Sequence, residues 1–409
     1  MARFSLIIFA CFMLVWSVAC RSASATVVPT VVPAVASQAI NRNVSAPSGQ
    51  PPSDVPAATA RPVAPTATRV PPSATAEPST ATPNPPSPTL VPPSPTAAPP
   101  TATPVPATAT PSSDKPASWL TDSTVLGIYG RAFGVAPILG RLGSYHNFDD
   151  MAKDVANFSD QIKTVNGGKP VLPMVHLIYA LAVPCSGSSD CLFYLEGQDP
   201  NIVNDYIKPA AQRGWIVLLD TQLGRSDPVT QVNRMIAKGY LKYDNVEVGL
   251  DPEFHSVPGH DRPGIPIGTI TAAQVNQVQQ ILDDYVQKEH LPHRKILVVH
   301  QFGDKNIGDG VPFMIQNKDQ VKDYANVDLV IDADGVGGQD AKVMKYNKMT
   351  DSAVYPFITY RAIKLFLPNP YEQAGHYDKP VLTFRQVFGL DPTSGKDRMD
   401  APPNMVIIA

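Results

Sequence analysis

Side chains that can move protons or hold ions follow a series of short apolar runs in the second part of the sequence. Their types serve as general acids and bases, as nucleophiles and as metal ligands. Burying an unpaired charge costs several kcal/mol, so a fold alone does not require such groups to collect at one rim. Their repeated position therefore indicates a functional site. The residues are His176, Asp220, Gln222, Asp251, Glu253, His300, Gln301, Asp332, Asp334 and Lys364.

The carboxyl groups of Asp251 and Glu253 are the leading candidates for catalysis. In residues 246–253, apolar side chains alternate with Glu247, Gly249, Asp251 and Glu253, so these four share one face of an extended strand. The two carboxyls then lie about 6 to 7 Å apart along the strand. Carboxylates this close cannot both ionise freely, so one pKa rises and that group stays protonated near neutral pH. We expect Glu253 to be the acid and Asp251 its partner; the alternative is that both anchor loops.

The apolar runs themselves predict strands that alternate with helices, which is typical of the α/β class. Eight such alternations predict a (β/α)8 TIM barrel, and the alternative is an open, doubly wound sheet. In a barrel the carboxyl ends of the strands form the catalytic face, and the polar residues fall there. The predicted strands are residues 125–130, 171–179, 215–220, 246–251, 296–302, 327–332, 361–366 and 404–408. The predicted helices are residues 148–165, 202–213, 229–239, 271–289, 318–325, 341–349 and 382–390.

The first part of the chain has a different composition. More than half of the 44 prolines precede residue 117, and no aromatic residue occurs between Trp16 and Trp119. Such a segment cannot bury enough apolar surface to offset its ordering entropy. We therefore expect a disordered Pro/Thr/Ala-rich tether over residues 20–118 and one folded domain over residues 119–409. The net charge of −3 and the lack of basic clusters argue against nucleic acid as a partner.

The amino terminus predicts export. Arg3 precedes an uncharged run over residues 4–19, which is shorter than the roughly 20 residues of a spanning helix and is typical of a signal peptide at residues 1–19. The run ends in Ser17-Val18-Ala19-Cys20, which resembles the lipobox of bacterial lipoproteins. The resemblance implies a lipid on Cys20 and an extracytoplasmic protein anchored to the cell membrane. The alternative is a plain signal peptide, which also takes the protein out of the cytoplasm.

Cys185 and Cys191 lie six positions apart in a Ser/Gly-rich segment. Outside the cytoplasm such a pair forms a disulfide more readily than a metal site, which needs further ligands. We predict a local disulfide between them.

Asp251-Pro252-Glu253 is similar to the Asp-x-Glu at the end of the fourth barrel strand in the chitinase-type and muramidase families of glycoside hydrolases. The chain also resembles a family of secreted bacterial proteins whose activity is not established. Its motifs are Gly-Leu-Asp-Pro-Glu-(Phe/Trp)-His, here residues 249–255, and Leu-Pro-x-(Lys/Arg)-x-(Ile/Leu)-x-Val-x-His-Gln-Phe, here residues 291–302. An Asp-Gly after the sixth strand, here residues 334–335, completes the likeness. These resemblances imply a barrel with a shared site at the fourth to sixth strands.

Together these observations predict a cell-surface protein, resembling glycoside hydrolases, that acts on peptidoglycan or another polysaccharide by carboxylate acid/base catalysis. Glu253 is the expected acid, and Asp251 or Asp332 is the expected nucleophile or stabiliser. No cofactor and no metal ion is expected. The residues expected to bind substrate are His176, Asp220, Gln222, His300, Gln301, Asp334, Lys364 and Tyr129.

Two other functions use the same residues. In a metal-dependent hydrolase the ligands would come from His176, Asp220, Glu253, His255, His300 and Asp332. In a non-catalytic protein the barrel would bind cell-wall glycan without cutting it, and loss of Glu253 would leave binding intact.

Overall fold

The computed structural model describes residues 115–135, 140–185, 190–256, 259–303, 314–353, 355–369 and 376–409. The predicted signal peptide, Cys20 and the tether up to residue 114 lie outside these ranges.

Eight parallel strands close into a barrel. Strand β1 pairs in parallel with both β2 and β11, so the sheet has no open edge between them and the open-sheet alternative is wrong. Around the barrel the order is β1, β2, β4, β5, β7, β9, β10 and β11. These are the eight strands that the apolar runs predicted, to within three residues at each end. The strands are β1 (Thr124–Gly130), β2 (Val171–Ala182), β3 (Leu192–Tyr194), β4 (Ile216–Thr221), β5 (Val246–Leu250), β6 (Ile270–Thr271), β7 (Lys295–Gln301), β8 (Ile315–Gln316), β9 (Val327–Ala333), β10 (Tyr360–Leu365) and β11 (Met405–Ile408).

Helices cover the outside of the barrel, which is therefore a (β/α)8 barrel. A π-helical turn, Val203–Ile207, leads directly into α2. No helix in the described ranges is both long enough and apolar enough to cross a membrane. The helices are α1 (Phe148–Lys163), α2 (Lys208–Gln212), α3 (Pro228–Ala237), α4 (Ala272–Glu289), α5 (Gln339–Met349) and α6 (Phe384–Val387).

The helix predicted at residues 318–325 is wrong. The structure has a single 3-10 turn, Lys318–Gln320, followed by extended chain. Polar side chains of α4 bond to this extended backbone: Asn276 donates to the Gln320 carbonyl at 2.8 Å and accepts from the Lys322 amide at 2.9 Å. These side chains supply the partners that a helix would have found in its own backbone.

The alternation of side chains along the strands separates two cores. On β4, Val217 and Leu219 face outward and pack in the large core under the helices. Ile216 and Leu218 face inward and fill the smaller core inside the barrel. Asp220 continues the inward series at the carboxyl end of this strand.

A disulfide between Cys185 and Cys191 closes the loop that joins β2 to the antiparallel strand β3. At the opposite end of the barrel, Ala117 bonds to the backbone of Pro292 and Arg294, and the Ser118 hydroxyl donates to Asp328 at 2.5 Å. The chain is therefore attached to the barrel from Ala117 onward.

Candidate functional site

Polar side chains of six neighbouring strand ends meet inside the carboxyl end of the barrel. His300 on β7 is the register partner of Asp332 on β9, so both point into the barrel at the same level. Each of the six side chains is at most 2% exposed, so the set lies beneath the barrel mouth rather than on its surface. They are His176, Asp220, Asp251, His300, Asp332 and Lys364.

Gly249 makes room for Asp220. The two residues are register partners on β5 and β4, and both face inward. A Cβ on Gly249 would lie 2.6 Å from Asp220 Oδ1 and 2.6 Å from Leu218 Cδ2, which is closer than real contacts allow. The absence of a side chain at this position therefore permits the carboxylate to occupy the centre of the barrel.

Asp220 bridges two histidines. Its Oδ2 lies 3.2 Å from Nε2 of His176 and 3.3 Å from Nε2 of His300. Burial alone would raise the pKa of Asp220, but the charge of His300 and the hydrogen bond from His176 outweigh burial and hold this pKa well below its usual range. The group is therefore an ionised carboxylate at neutral pH.

The other nitrogen of His300 faces two aspartates and a lysine. Nδ1 lies 2.9 Å from Asp332 Oδ2, 3.1 Å from Asp334 Oδ2 and 3.2 Å from Lys364 Nζ. Lys364 Nζ also donates to Asp334 and lies 4.0 Å from the centre of the Tyr129 ring. Burial opposes ionisation of Asp334, but Lys364 and His300 more than offset it and keep the pKa of this carboxyl well below its usual range.

Asp251 and Glu253 have pKa values shifted in the opposite direction. Burial raises the pKa of Asp251 to about 7, and nearby Asp220 adds to the rise although His300 and Lys364 oppose it. For Glu253, burial and the charges of Asp251 and Asp334 raise the pKa to about 8. The barrel mouth therefore holds protonated and ionised carboxyl groups side by side at neutral pH.

Glu253 reaches the mouth from a turn and not from an extended strand. Strand β5 ends at Leu250, and Pro252–Phe254 forms a 3-10 turn. The prediction that the strand continues to residue 251 is wrong by one residue, because Pro252 has no N–H to extend the ladder. Glu253 is only partly buried, so it is the carboxyl of the pair that a ligand can approach.

The side chains of Gln222 and Gln301 bond to backbone groups of the barrel instead of the side chains of the central cluster. Gln222 accepts a hydrogen bond from the Ala182 amide at 3.1 Å and so joins the ends of β4 and β2. Gln301 lies on the outward face of β7 because it follows inward-facing His300 directly. Its Oε1 accepts from the Met314 amide at 3.2 Å, and its Nε2 donates to the His300 carbonyl at 3.1 Å. Its expected role in positioning a sugar has no support in this placement.

The side chains of Tyr129 and His255 also contact other parts of the protein. Tyr129 is 4% exposed, and its ring meets that of His176 edge to face at 4.8 Å. It packs beside the cluster and presents no free face to the mouth. His255 donates from Nδ1 to the Thr269 carbonyl at 2.6 Å and so fixes its own loop.

The buried pair of Lys342 and Asp378, which the sequence did not predict, lies beside the cluster. Asp378 accepts from the amides of Gly337 at 2.9 Å and Phe366 at 3.0 Å, and lies 3.3 Å from Lys342 Nζ. Lys342 in turn donates to the Gly335 carbonyl at 2.8 Å. The pair ties the loop after Asp334 to the end of β10. Asp378 lies beyond that strand in a loop, where neither periodicity nor spacing distinguishes it.

Two overlapping groups have ligand atoms close enough for a metal ion: His176, Asp220 and His300, and His300, Asp332 and Asp334. In the first group, His300 Nε2 has no hydrogen bond in the described part of the chain, although Asp220 is near. In the second group the Lys364 ammonium already lies against Asp334 and His300. The first group is thus the better candidate for a metal.

A cavity of about 720 Å³ lies at the amino end of the barrel. Trp119, Trp215 and α1 line it, and it contains none of the polar cluster at the carboxyl end. This cavity is therefore separate from the candidate functional site.

The chain matches no protein-family model, no curated protein and no solved structure. The function is therefore inferred from the chemistry of the polar cluster at the carboxyl end of the barrel. The cluster combines Glu253, whose pKa is raised to about 8, with the ionised carboxylates of Asp220 and Asp334, which lie against His300 and Lys364.

Proposed function

We propose that this protein is a glycoside hydrolase that cuts peptidoglycan or another polysaccharide outside the cytoplasm by carboxylate acid/base catalysis. The observation that carries the proposal is the opposite displacement of carboxyl pKa values within one barrel mouth. Glu253 has a pKa raised to about 8, whereas the pKa of Asp334 is held far below its usual range. Environments that separate the pKa values of neighbouring carboxyls assign one as acid and another as base or nucleophile.

Glu253 is the proposed general acid. It is protonated at neutral pH and partly exposed, so it can donate its proton to the glycosidic oxygen as the bond to the anomeric carbon breaks. Asp251 has a pKa raised to about 7, and its charge adds to the rise in the pKa of Glu253. This raised pKa makes Asp251 a poorer candidate for nucleophile than the ionised groups.

The role of nucleophile or stabiliser is assigned to the two aspartates at the end of β9. Asp332 has an Oδ1 without a hydrogen bond in the described part of the chain, and Asp334 is kept ionised by Lys364 and His300. One of them stabilises the positive charge that develops on the sugar ring, or forms the new bond to the anomeric carbon. Water then supplies the hydroxyl of the product, and its proton returns to a carboxylate.

The amino-terminal sequence supports the proposed location. A lipid on Cys20 would anchor the chain to the membrane, and a proline-rich tether extends by about 3 Å per residue. Residues 20–118 would then give the barrel access to cell-wall glycan.

Reducing-end release by the full chain on peptidoglycan and a panel of polysaccharides tests the proposal. We expect release by the wild type and a loss of about 10² to 10⁴-fold in Glu253→Gln. Glu289→Gln, an exposed glutamate at the end of α4, is the matched control and should retain full activity. Equal release by Glu253→Gln, or no release with wall material still bound, would contradict the proposal. The second result would favour the non-catalytic binding protein.

One observation favours a second candidate, a metal-dependent hydrolase. The Asp220 oxygen lies 3.2 and 3.3 Å from the two histidine nitrogens. Ligand atoms of a tetrahedral zinc ion with bonds near 2.1 Å lie about 3.4 Å apart. In that mechanism His176, Asp220 and His300 would hold the metal, and Asp332 would orient His300 through Nδ1. Activity that a chelator removes and Zn²⁺ or Mn²⁺ restores would favour this candidate over carboxylate catalysis.

A further inference from the structure

The cavity of about 720 Å³ at the amino end of the barrel has the features of a second binding site. We propose that this cavity binds a neutral glycan strand, with pyranose rings packed against Trp119 and Trp215. The cavity lies at the opposite end of the barrel from Glu253, so the inference goes beyond the proposed function and does not depend on cleavage.

The cavity leaves part of the barrel surface uncovered. Strand β2 is fully buried from Met174 to Ala180, but Val171–Pro173 at its start are only partly buried and line the cavity. Ala152 and Ala156 of α1 line it as well, and their short side chains do not fill the space. The volume falls within the range of about 300 to 1,000 Å³ that is typical of ligand sites.

Two tryptophans are fixed beside this space. The chain has three tryptophans, and the two that follow Trp16 both line the cavity and are partly exposed. Trp119 stacks on His293 with 3.5 Å between the ring centres and 15° between the planes. Trp215 packs against Phe148 at 6.0 Å. An indole offers an apolar ring and a polar N–H, which suits a pyranose with a face of C–H groups and a rim of hydroxyls.

Two polar groups of the cavity lining have no partner in the described part of the chain. Ser159 is only 7% exposed, and its hydroxyl makes no hydrogen bond there. Nε1 of Trp119 is buried and also has no acceptor. Unpaired polar groups are costly, so a ligand with hydroxyls, or a water that the ligand traps, is favoured at this place. A sugar hydroxyl both donates and accepts, and can therefore serve either group.

The charges around the cavity favour an uncharged ligand. Every lining side chain that can be positive lies against a carboxylate, so none is left for a phosphate or carboxylate group of a ligand. Asp122 also lines the cavity and has no ion pair in the described ranges, so its charge would repel an anionic polymer or lipid headgroup. The pairs are Lys163 with Asp160 at 3.3 Å, Arg213 with Asp149 at 2.5 Å and His293 with Asp244 at 2.6 Å.

Intrinsic tryptophan fluorescence tests the inference, because Trp119 and Trp215 both line the cavity and the cluster at the carboxyl end contains no tryptophan. The probes are the β-1,4-linked hexamers of N-acetylglucosamine and glucose, with the α-1,4-linked hexamer of galacturonate as the anionic comparison. They are titrated into the full chain carrying Glu253→Gln, so that the proposed acid cannot cut them. We expect a saturable change with at least one neutral hexamer, and binding of the galacturonate hexamer weaker by at least about 10-fold.

Variants of α1 assign the change to the cavity. Ala156→Arg adds a long side chain to the cavity lining without removing a buried group, and should weaken binding by at least about 10-fold. Asn157→Arg adds the same side chain at the next exposed position, which does not line the cavity, and should leave binding unchanged. Ser159→Ala should weaken binding several-fold without lowering the free energy of unfolding, because its hydroxyl has no partner in the free protein.

No fluorescence change with either neutral hexamer, equal binding in Ala156→Arg and its parent, or tighter binding of the galacturonate hexamer would overturn the inference. A dimer that Ala156→Arg disrupts, in a protein that ignores the hexamers, would overturn it and assign the cavity to a second copy of the chain. Failure of the proposed function has a different signature. Glu253-dependent release without binding at the cavity would remove this second site alone, whereas binding at the cavity without any Glu253-dependent release would remove the glycosidase alone.

Discussion

The carboxylate of Asp332 lies 2.9 Å from Nδ1 of His300, its register partner on the neighbouring strand. Because the other nitrogen of His300 faces Asp220 at 3.3 Å, the imidazole lies between two buried carboxylates. Burial and Lys364 oppose protonation of His300, but the two carboxylates outweigh them and raise its pKa well above the usual value. His300 on β7 thus links carboxyl groups on β4 and β9, and the site depends on these three strands keeping their register.

Lys364 should be important for stability as well as for the site. Lys364→Met would leave Asp334 buried without its cation, and breaking a buried pair in this way costs about 3 to 5 kcal/mol. Chemical denaturation should show a loss of that order, and the double substitution Lys364→Met with Asp334→Asn should recover part of it. Lys288→Met, at an exposed lysine of α4, is the control. A free energy of unfolding for Lys364→Met equal to that of the wild type would show that the pair contributes nothing.

Gly249→Ala should displace the Asp220 carboxylate in the site. The new methyl group would lie 2.6 Å from both Asp220 Oδ1 and Leu218 Cδ2, so the carboxylate must shift away from the two histidines. We expect a loss of about 1 to 3 kcal/mol in the free energy of unfolding and a clear loss of activity. Gly197→Ala, where the nearest atom lies at 3.4 Å on exposed Phe193, should do neither. Normal activity and stability in Gly249→Ala would contradict the close packing described for β4 and β5.

Glu247 should make the protein less stable as the pH rises. Burial raises its pKa to about 7, above the value of an unfolded chain, although Lys295 and the Ile296 amide oppose the rise. A carboxyl with a raised folded-state pKa stabilises the fold at low pH, and that contribution is lost as the pH rises from about 4 through 7. Denaturation at pH 5 and pH 8 should show a smaller difference in unfolding free energy for Glu247→Gln than for the wild type. An identical pH dependence in both proteins would mean that Glu247 is ionised throughout.

The strand pattern allowed much of this architecture to be predicted from sequence. Each barrel strand is a short apolar run, and the alternation of faces placed Asp220 and Asp332 inside the barrel. The same alternation, applied strictly, puts Gln301 outside because it is adjacent to His300. The turn at Pro252–Phe254 interrupts the alternation before Glu253, so its geometry could not follow from strand parity.

Contacts between segments that are distant in sequence could not be predicted from the sequence pattern. Lys342 and Asp378 meet only because the loop after β9 folds against the end of β10. The segment at residues 318–325 has a local pattern that favours a helix. Side chains of α4, more than 40 positions earlier, bind its backbone in an extended form.

Glu253 delivers the proton to the departing sugar oxygen in the proposed mechanism, and the pH dependence of kcat/KM tests that role most directly. The active form is the protonated one, and the pKa is raised to about 8. We therefore expect kcat/KM to fall as the pH rises through about 8. Asp251→Asn should move this fall to lower pH, because the charge of Asp251 contributes to the raised pKa of Glu253.

The decisive comparison is the same profile in Glu253→Gln, with Glu289→Gln beside it. The expected result is a low residual activity that no longer falls near pH 8 in Glu253→Gln, with the wild-type profile kept in Glu289→Gln. A wild-type profile that stays flat between pH 7 and 9, or an alkaline fall that persists in Glu253→Gln, would contradict Glu253 as the general acid.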